Sequence, residues 1–270
     1  MDLETTFGTP SPVIGMVHLS PLPGAPNADG SLDAVVEAAV GDAEALEAGG
    51  VDGLIVENFG DAPFYPDDVP KHTVAAMTRA TRAVAEAVSL PVGVNVLRND
   101  AEAALSVAAA AGGEFVRVNV HTGARVTDQG VIEGRTHETM RLRERLDADL
   151  RVFADIDVKH SAPLTEGSIR RELADARERG LADAVIVSGA ATGEAVGTPA
   201  LAGAVEARDS LDLDVPILVG SGVDADSVAD YLAEADGVIV GTALKDGGET
   251  TAAVSGARVA ELVARADEVR

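Results

Sequence analysis

Short apolar runs alternate with longer segments of helical period eight times along this chain. The runs are Val13–Leu19, Gly53–Asn58, Pro91–Leu97, Phe115–Asn119, Arg151–Lys159, Ala184–Gly189, Pro216–Gly222 and Gly237–Thr242. Rich in Val and Ile, they have the character of parallel strands covered on both faces. Between them lie Ala-, Glu- and Arg-rich segments: Leu32–Ala48, Val74–Val88, Asp100–Ala111, Glu138–Leu146, Ser168–Arg179, Pro199–Leu211, Ala225–Ala233 and Thr251–Ala266. Eight strand–helix units in about 250 residues predict a (β/α)₈ TIM barrel. A doubly wound open sheet also alternates, but generally with fewer strands. No linker, low-complexity tract or charge block interrupts the pattern, so residues 1–270 read as a single barrel domain.

The punctuation agrees. Gly49-Gly50, Gly112-Gly113 and Gly180 fall where helices should stop, at positions that tolerate a left-handed backbone. Pro91 and Pro216 open runs, where a missing N–H costs little. The loops that follow the runs are the longer ones, notably Ser20–Pro26, Gly60–Phe64, the polar stretch from His121 to His137, and Ala190–Glu194. In a barrel that rim carries function.

Alternation within each run predicts what points inward. Phe153 to His160 places Ala154, Ile156 and Val158 on one face and Asp155, Asp157 and Lys159 on the other. The same parity turns Ile14, Met16 and His18 inward, with Asn95, Arg117, Asn119 and Ser188 from other strands. In the second run Glu57 and Asn58 have opposite parity, and either could face in. His18, Asn95, Asn119, Asp157, Lys159 and Ser188 are therefore expected to converge at the C-terminal mouth. Arg117 and Asp155 are expected one layer deeper, paired, because an unpaired buried charge costs several kcal/mol. Lys159 offers two roles: a charge that binds phosphate or carboxylate, or a Schiff-base nucleophile if burial lowers its pKa. Asp157 opposes that lowering and favours the charged role. His18 and His160 are candidate acid–base or ligand-contacting groups. Glu57, Asp155 and Asp157 offer the hard oxygens a Mg²⁺ would take, although no spacing here is diagnostic of a metal.

The seventh run ends in Gly220-Ser221-Gly222 and the eighth in Gly241-Thr242. Barrels that hold a phosphate commonly do so after strands seven and eight, with backbone N–H groups that glycine lets approach the anion. The nearby Asp224, Asp226 and Asp246 work against an anion.

Composition narrows the function classes. The formal net charge is −24, and lysine occurs only at Lys71, Lys159 and Lys245. Such an acidic, lysine-poor surface suits molar salt, where self-repulsion is screened. Its field repels phosphate backbones, so nucleic-acid binding is not expected. The absence of Cys excludes disulfides and thiolate metal sites. The acidic N-terminus has no signal-peptide character, and no run approaches the roughly 20 apolar residues of a membrane span. These features describe a cytoplasmic protein. A homo-oligomer is compatible with them, and no stretch marks an interface.

The segments GMVHLSPLPGAP, VDGLIVENFGDAPF, VGVNVLRND, FVRVNVHTG with VTDQGVIEG, ADIDVKHSAPL, VSGAATG, ILVGSGV and GVIVGTALKDGG resemble the BtpA/SgcQ family in order, from about Val13 to Gly248. More distantly the chain resembles the ribulose-phosphate-binding barrels. The resemblance implies a (β/α)₈ fold without settling an activity. Cyanobacterial members are associated with photosystem I biogenesis on thylakoid membranes, and others resemble enzymes of sugar or nucleoside metabolism. The matched polar positions are His18, Glu57, Asn58, Asp61, Asn95, Arg98, Asn119, Asp155, Lys159 and His160. The departure is compositional: this acidic version looks haloarchaeal, where a photosystem role has no client.

Two functions follow as expectations. One is an enzyme acting on a phosphorylated sugar or nucleoside-like molecule, a lyase, isomerase or glycosyl-bond-acting catalyst. Its acid–base groups would be His18, Glu57 and Asp157, with Lys159 as electrostatic stabiliser. Its substrate contacts would come from Asn58, Asn95, Arg98, Asn119, His160 and Ser188. The other is a non-catalytic assembly factor, which would present an exposed apolar patch.

Overall fold

The computed structural model describes residues 1–156, 161–164, 167–189 and 198–270. Eight parallel strands close into a barrel: β1 (Val13–His18), β2 (Gly53–Glu57), β3 (Val92–Asn95), β4 (Phe115–Val118), β7 (Arg151–Ile156), β9 (Ala184–Val187), β10 (Ile217–Val219) and β11 (Gly237–Val240). Each pairs with the next in chain order, and β11 returns to β1. Outside the barrel β5 (Ala124–Thr127), β6 (Gly130–Glu133) and β8 (Ala162–Pro163) form a small antiparallel sheet.

The helices are α1 (Leu3–Phe7), α2 (Leu32–Gly49), α3 (Lys71–Ala87), α4 (Ala101–Ala111), α5 (Thr136–Leu146), α6 (Ile169–Ala174), α7 (Thr198–Ser210), α8 (Val228–Leu232) and α9 (Gly256–Ala266). Side chains of Ser31, Asp100 and Ser168 accept N–H bonds in the first turns of α2, α4 and α6, satisfying donors a helix start leaves open. Gly50 and Gly112 end α2 and α4 in the left-handed region. Gly180 does not behave as expected. A π-turn over Asp175–Arg179 follows α6, Gly180 stays right-handed at φ −83°, and Leu181 takes the positive φ instead. Gly180 is needed for closeness: a Cβ there would lie 2.4 Å from the Ala176 carbonyl oxygen and 3.0 Å from the His121 ring.

The predicted parity places Ile14, Met16, Ile55, Phe115, Phe153, Ala184, Ile186, Leu218 and Ile239 in one buried cluster inside the barrel, separate from the larger layer between strands and helices. Of only five phenylalanines in the chain, three stack at the N-terminal end. Phe115 and Phe153 lie 4.7 Å apart, and Phe7 meets Phe115 edge-on at 5.5 Å. Phe7 arrives on α1, a one-turn helix capped by Asp2, which closes that end of the barrel.

The stretch from His121 to His137, expected as a polar loop, contains the β5–β6 hairpin. Val126 faces Val131 across it, and Gly130 supplies the turn at φ +106°. Ile132 and Val120 make a small buried contact beneath. Among the described residues no helix is long and apolar enough to cross a membrane.

Candidate active site at the barrel mouth

The C-terminal ends of the strands surround a cavity of ≈ 240 Å³, small beside the roughly 300–1,000 Å³ of drug-sized pockets. Met16, His18, Glu57 and Arg117 from the strands line it together with Phe59, the segments Gly220–Asp224 and Gly241–Ala243, and Gly248 and Arg258. His18, Glu57, Gly220, Ser221, Gly222, Gly241 and Thr242, scattered over the sequence, are thus brought to one place.

His18 and Glu57 are register partners on β1 and β2. The Nδ1 of His18 lies 3.2 Å from the Thr250 carbonyl oxygen. A carbonyl only accepts, so that contact puts the hydrogen on Nδ1. His18 Nε2 then faces Glu57 Oε1 at 3.8 Å. The Phe59 ring packs against the imidazole at 4.8 Å, and Gly241 leaves room for it, since a Cβ there would lie 2.9 Å from His18 Cε1. Glu57, whose parity was ambiguous, points inward and is buried.

Beside this pair a closed polar network spans β3, β4 and β7. Arg117 donates from Nε and Nη2 to Asp155 at 3.0 and 2.9 Å. Asn119 donates to the same carboxylate at 2.8 Å, and Asn95 donates to Asn119 Oδ1 and to the Arg117 carbonyl. Ser188 Oγ accepts from Arg117 Nη2 at 3.4 Å. Burial works against the charge of Arg117, but the adjoining Asp155, with Glu57 nearby, outweighs it and holds the guanidinium pKa above its ordinary value. The expected Arg117–Asp155 pair is therefore present. Arg117 also reaches the cavity, which it lines together with Met16 and His18. Asn95 Oδ1 is buried and has no hydrogen-bond partner among the described residues.

The glycines of the Gly220–Asp224 segment have two different reasons. Gly222 turns the chain at φ +70°. Gly220 leaves space for what lies under it, because a Cβ there would meet Ile186 at 2.4 Å and Ser188 Oγ at 2.7 Å. Ser221 Oγ accepts the Gly189 N–H at 2.7 Å, tying the end of β9 to that of β10. Thr242 Oγ1 lies 2.8 Å from Thr250 Oγ1. The carboxylate of Asp224 is turned onto its own loop, accepting the N–H groups of Asp226 and Ser227.

Other expected site residues lie apart from the cavity. Asn58 braces loops: its Oδ1 accepts the Leu97 N–H at 2.7 Å and its Nδ2 donates to Asp61. Asp61 also accepts the Leu22 N–H; burial raises its pKa against those two bonds and the pull of His72. Arg98 stacks over Phe64 at 5.1 Å and donates to Gln129 of the hairpin turn. Lys245, in the eighth-run motif, turns away into the protein and donates to Asp42 of α2 at 2.6 Å. Asp157, Lys159 and His160 lie outside the described residues, as does the Ala190–Glu194 loop. Of the suggested Mg²⁺ ligands, Asp155 is occupied by Arg117 and Asn119, so the described part of that set does not fit a cation. Among the described residues no cluster of three or more His, Asp or Glu is arranged for a metal. Sequence reasoning missed Phe59 and Arg258, which no spacing connects to the strand ends.

The BtpA family profile matches residues 9–268. The chain is 46% identical, over 97% of its length and 90% of the relative's, to the photosystem I biogenesis protein BtpA of Synechocystis sp.. It is 48% identical to an uncharacterized protein of Thermococcus kodakarensis, over 96% of each. Solved structures of similar fold include phosphoribosyl anthranilate isomerase from Thermus thermophilus, with TM-score 0.56, 16% identity and coverage of 96% and 100%. Tryptophan synthase of Mycobacterium tuberculosis gives TM-score 0.62 at 22% identity, covering 95% and 92%. At those identities the likeness concerns the fold.

Proposed function

This chain belongs to the BtpA family, and from that premise we propose that it is an enzyme acting on a phosphorylated sugar or nucleoside-like small molecule by acid–base chemistry in the barrel-mouth cavity. One observation carries the reading: a buried imidazole–carboxylate pair, His18 and Glu57, shares a small cavity with the glycine turns that end β10 and β11. A substrate atom between His18 Nε2 and Glu57 Oε1 is within reach of both. His18, its Nδ1 hydrogen held by Thr250, accepts or returns a proton at Nε2. Arg117, fixed by Asp155, stabilises negative charge developing on the substrate. The backbone N–H groups around Gly222 and Thr242 receive the phosphate. Lys159 and Asp157 keep their expected roles as charge stabiliser and additional acid–base group, with His160 as a substrate contact. The fold is shared with an isomerase whose name carries a phosphoribosyl substrate.

The test is turnover. A mixture of sugar monophosphates and nucleoside monophosphates is followed by ³¹P NMR with wild type, His18→Asn and Glu57→Gln. Conversion by wild type, reduced about 10²–10⁴-fold in each variant, supports the proposal. No conversion of any phosphorylated compound, with wild-type behaviour of both variants in binding, removes it.

A second reading, a non-catalytic assembly factor, draws on one observation. Val126 and Val131 pair across the hairpin and are 42% and 52% exposed. That reading predicts that Val126→Ser with Val131→Ser abolishes activity in the cell while cavity variants do not.

A further inference from the structure

The cavity carries an electrostatic problem that its glycine turns do not solve. Asp224 lines it, in a chain of net charge −24. Arg117 is paired with Asp155 and is already assigned to charge developing at the reacting centre, so it is not a separate cation for the phosphate. A phosphate dianion brought to backbone N–H groups alone would enter a region of unfavourable potential.

Arg258, on the first turn of α9, answers it. Its side chain reaches the cavity rim beside Gly248. Its Nε donates to the Ala243 carbonyl at 2.6 Å, on the same turn whose backbone faces the cavity. That bond fixes one edge of the guanidinium and leaves Nη1 and Nη2 as a parallel donor pair, the fork that matches a phosphate. No carboxylate pairs with Arg258 among the described residues, whereas the neighbouring cation, Lys245, is spent on Asp42. Gly248, beside it, takes a left-handed turn at φ +72°, which favours glycine.

We propose that Arg258 is the cation that grips the ligand's phosphate, making the site selective for a phosphate monoester over the unphosphorylated compound. This rests on the functional reading above and adds to it a residue from a helix, outside the β10 and β11 turns. Affinity then depends on a guanidinium the seventh- and eighth-run motifs do not contain.

The experiment measures inorganic phosphate binding by isothermal titration calorimetry at fixed KCl, on wild type, Arg258→Gln, Arg258→Lys and Gly222→Asp. Arg258 is exposed and makes one backbone hydrogen bond, so its variants should melt within a degree or two of wild type, which a thermal scan verifies. The expected result is phosphate binding by wild type, weakened about 10–100-fold in Arg258→Gln, partly retained in Arg258→Lys, and lost in Gly222→Asp. If Arg258→Gln binds like wild type while Gly222→Asp does not, the role of Arg258 is overturned and the phosphate site stands. If wild type does not bind phosphate at all, both fall.

Discussion

Arg117 on β4 and Asp155 on β7 meet in a two-point hydrogen bond at the centre of the barrel, with side chains 1% and 0% exposed. Neither could stay there alone. Replacing Arg117 by Met should destabilise the protein by about 3–5 kcal/mol, because the Asp155 carboxylate loses its counter-charge in a low-dielectric interior. Adding Asp155→Leu should recover most of that loss, leaving mainly the Asn119 amide to find a partner. Chemical denaturation at constant salt measures both. A single-variant cost below about 1 kcal/mol would mean the pair is not what holds this layer together.

Lys245 and Asp42 make a contrasting case. Lys245 lies three residues after the Gly241-Thr242 turn read as part of the phosphate site, yet its ammonium group is buried against α2. Lys245→Met should therefore lower stability by about 3 kcal/mol and leave phosphate affinity within twofold of wild type. A large loss of affinity at unchanged stability would instead place Lys245 on the ligand.

His121 predicts a pH dependence. Burial lowers its pKa, with Arg143 acting the same way and the Gly180 carbonyl and Asp183 opposing. The fold thus holds the ring neutral while the unfolded chain takes up a proton near pH 6.5. Stability from this group is complete above that pH and is lost progressively as pH falls below it, toward the folded-state value. Melting temperature between about pH 7.5 and 5.5 should fall more steeply for wild type than for His121→Asn. Parallel curves would remove His121 from the account.

Salt should stabilise. With 45 acidic and 21 basic residues, raising KCl from about 0.1 M to 1 M shrinks the screening length from about 10 Å to 3 Å and relieves self-repulsion. The melting temperature should rise across that range. A flat or falling curve would refute the link between this composition and molar salt.

The barrel was readable because its buried strands are rich in Val and Ile while their inward residues keep period two, so His18, Arg117, Asp155 and Ser188 could be assigned an inward face from the sequence. The readable part ended where non-local contacts decide. Asn58 and Glu57 are adjacent and equally polar, and only the register with β1 turns Glu57 to the cavity and leaves Asn58 to brace Leu97. Gly220 and Gly241 look like anion-binding glycines, but the atoms that require them small are those of Ile186, Ser188 and His18. The β5–β6 hairpin was missed because its Val126 and Val131 face outward and so break the inward-apolar rule used to find strands. Arg258 was invisible because nothing in a helical segment announces that its first turn reaches a cavity at the ends of the barrel strands.

The most direct measurement of the central claim is a thermal-shift screen in concentrated KCl, pairing sugar and nucleoside monophosphates with their unphosphorylated counterparts, on wild type and Gly222→Asp. The account predicts that at least one phosphorylated compound, at about 100 times its Kd, stabilises wild type by about 2.7 kcal/mol. Its unphosphorylated partner should do nothing, and Gly222→Asp should abolish the shift. Equal shifts with and without the phosphate, or no shift from any compound in wild type, would contradict it.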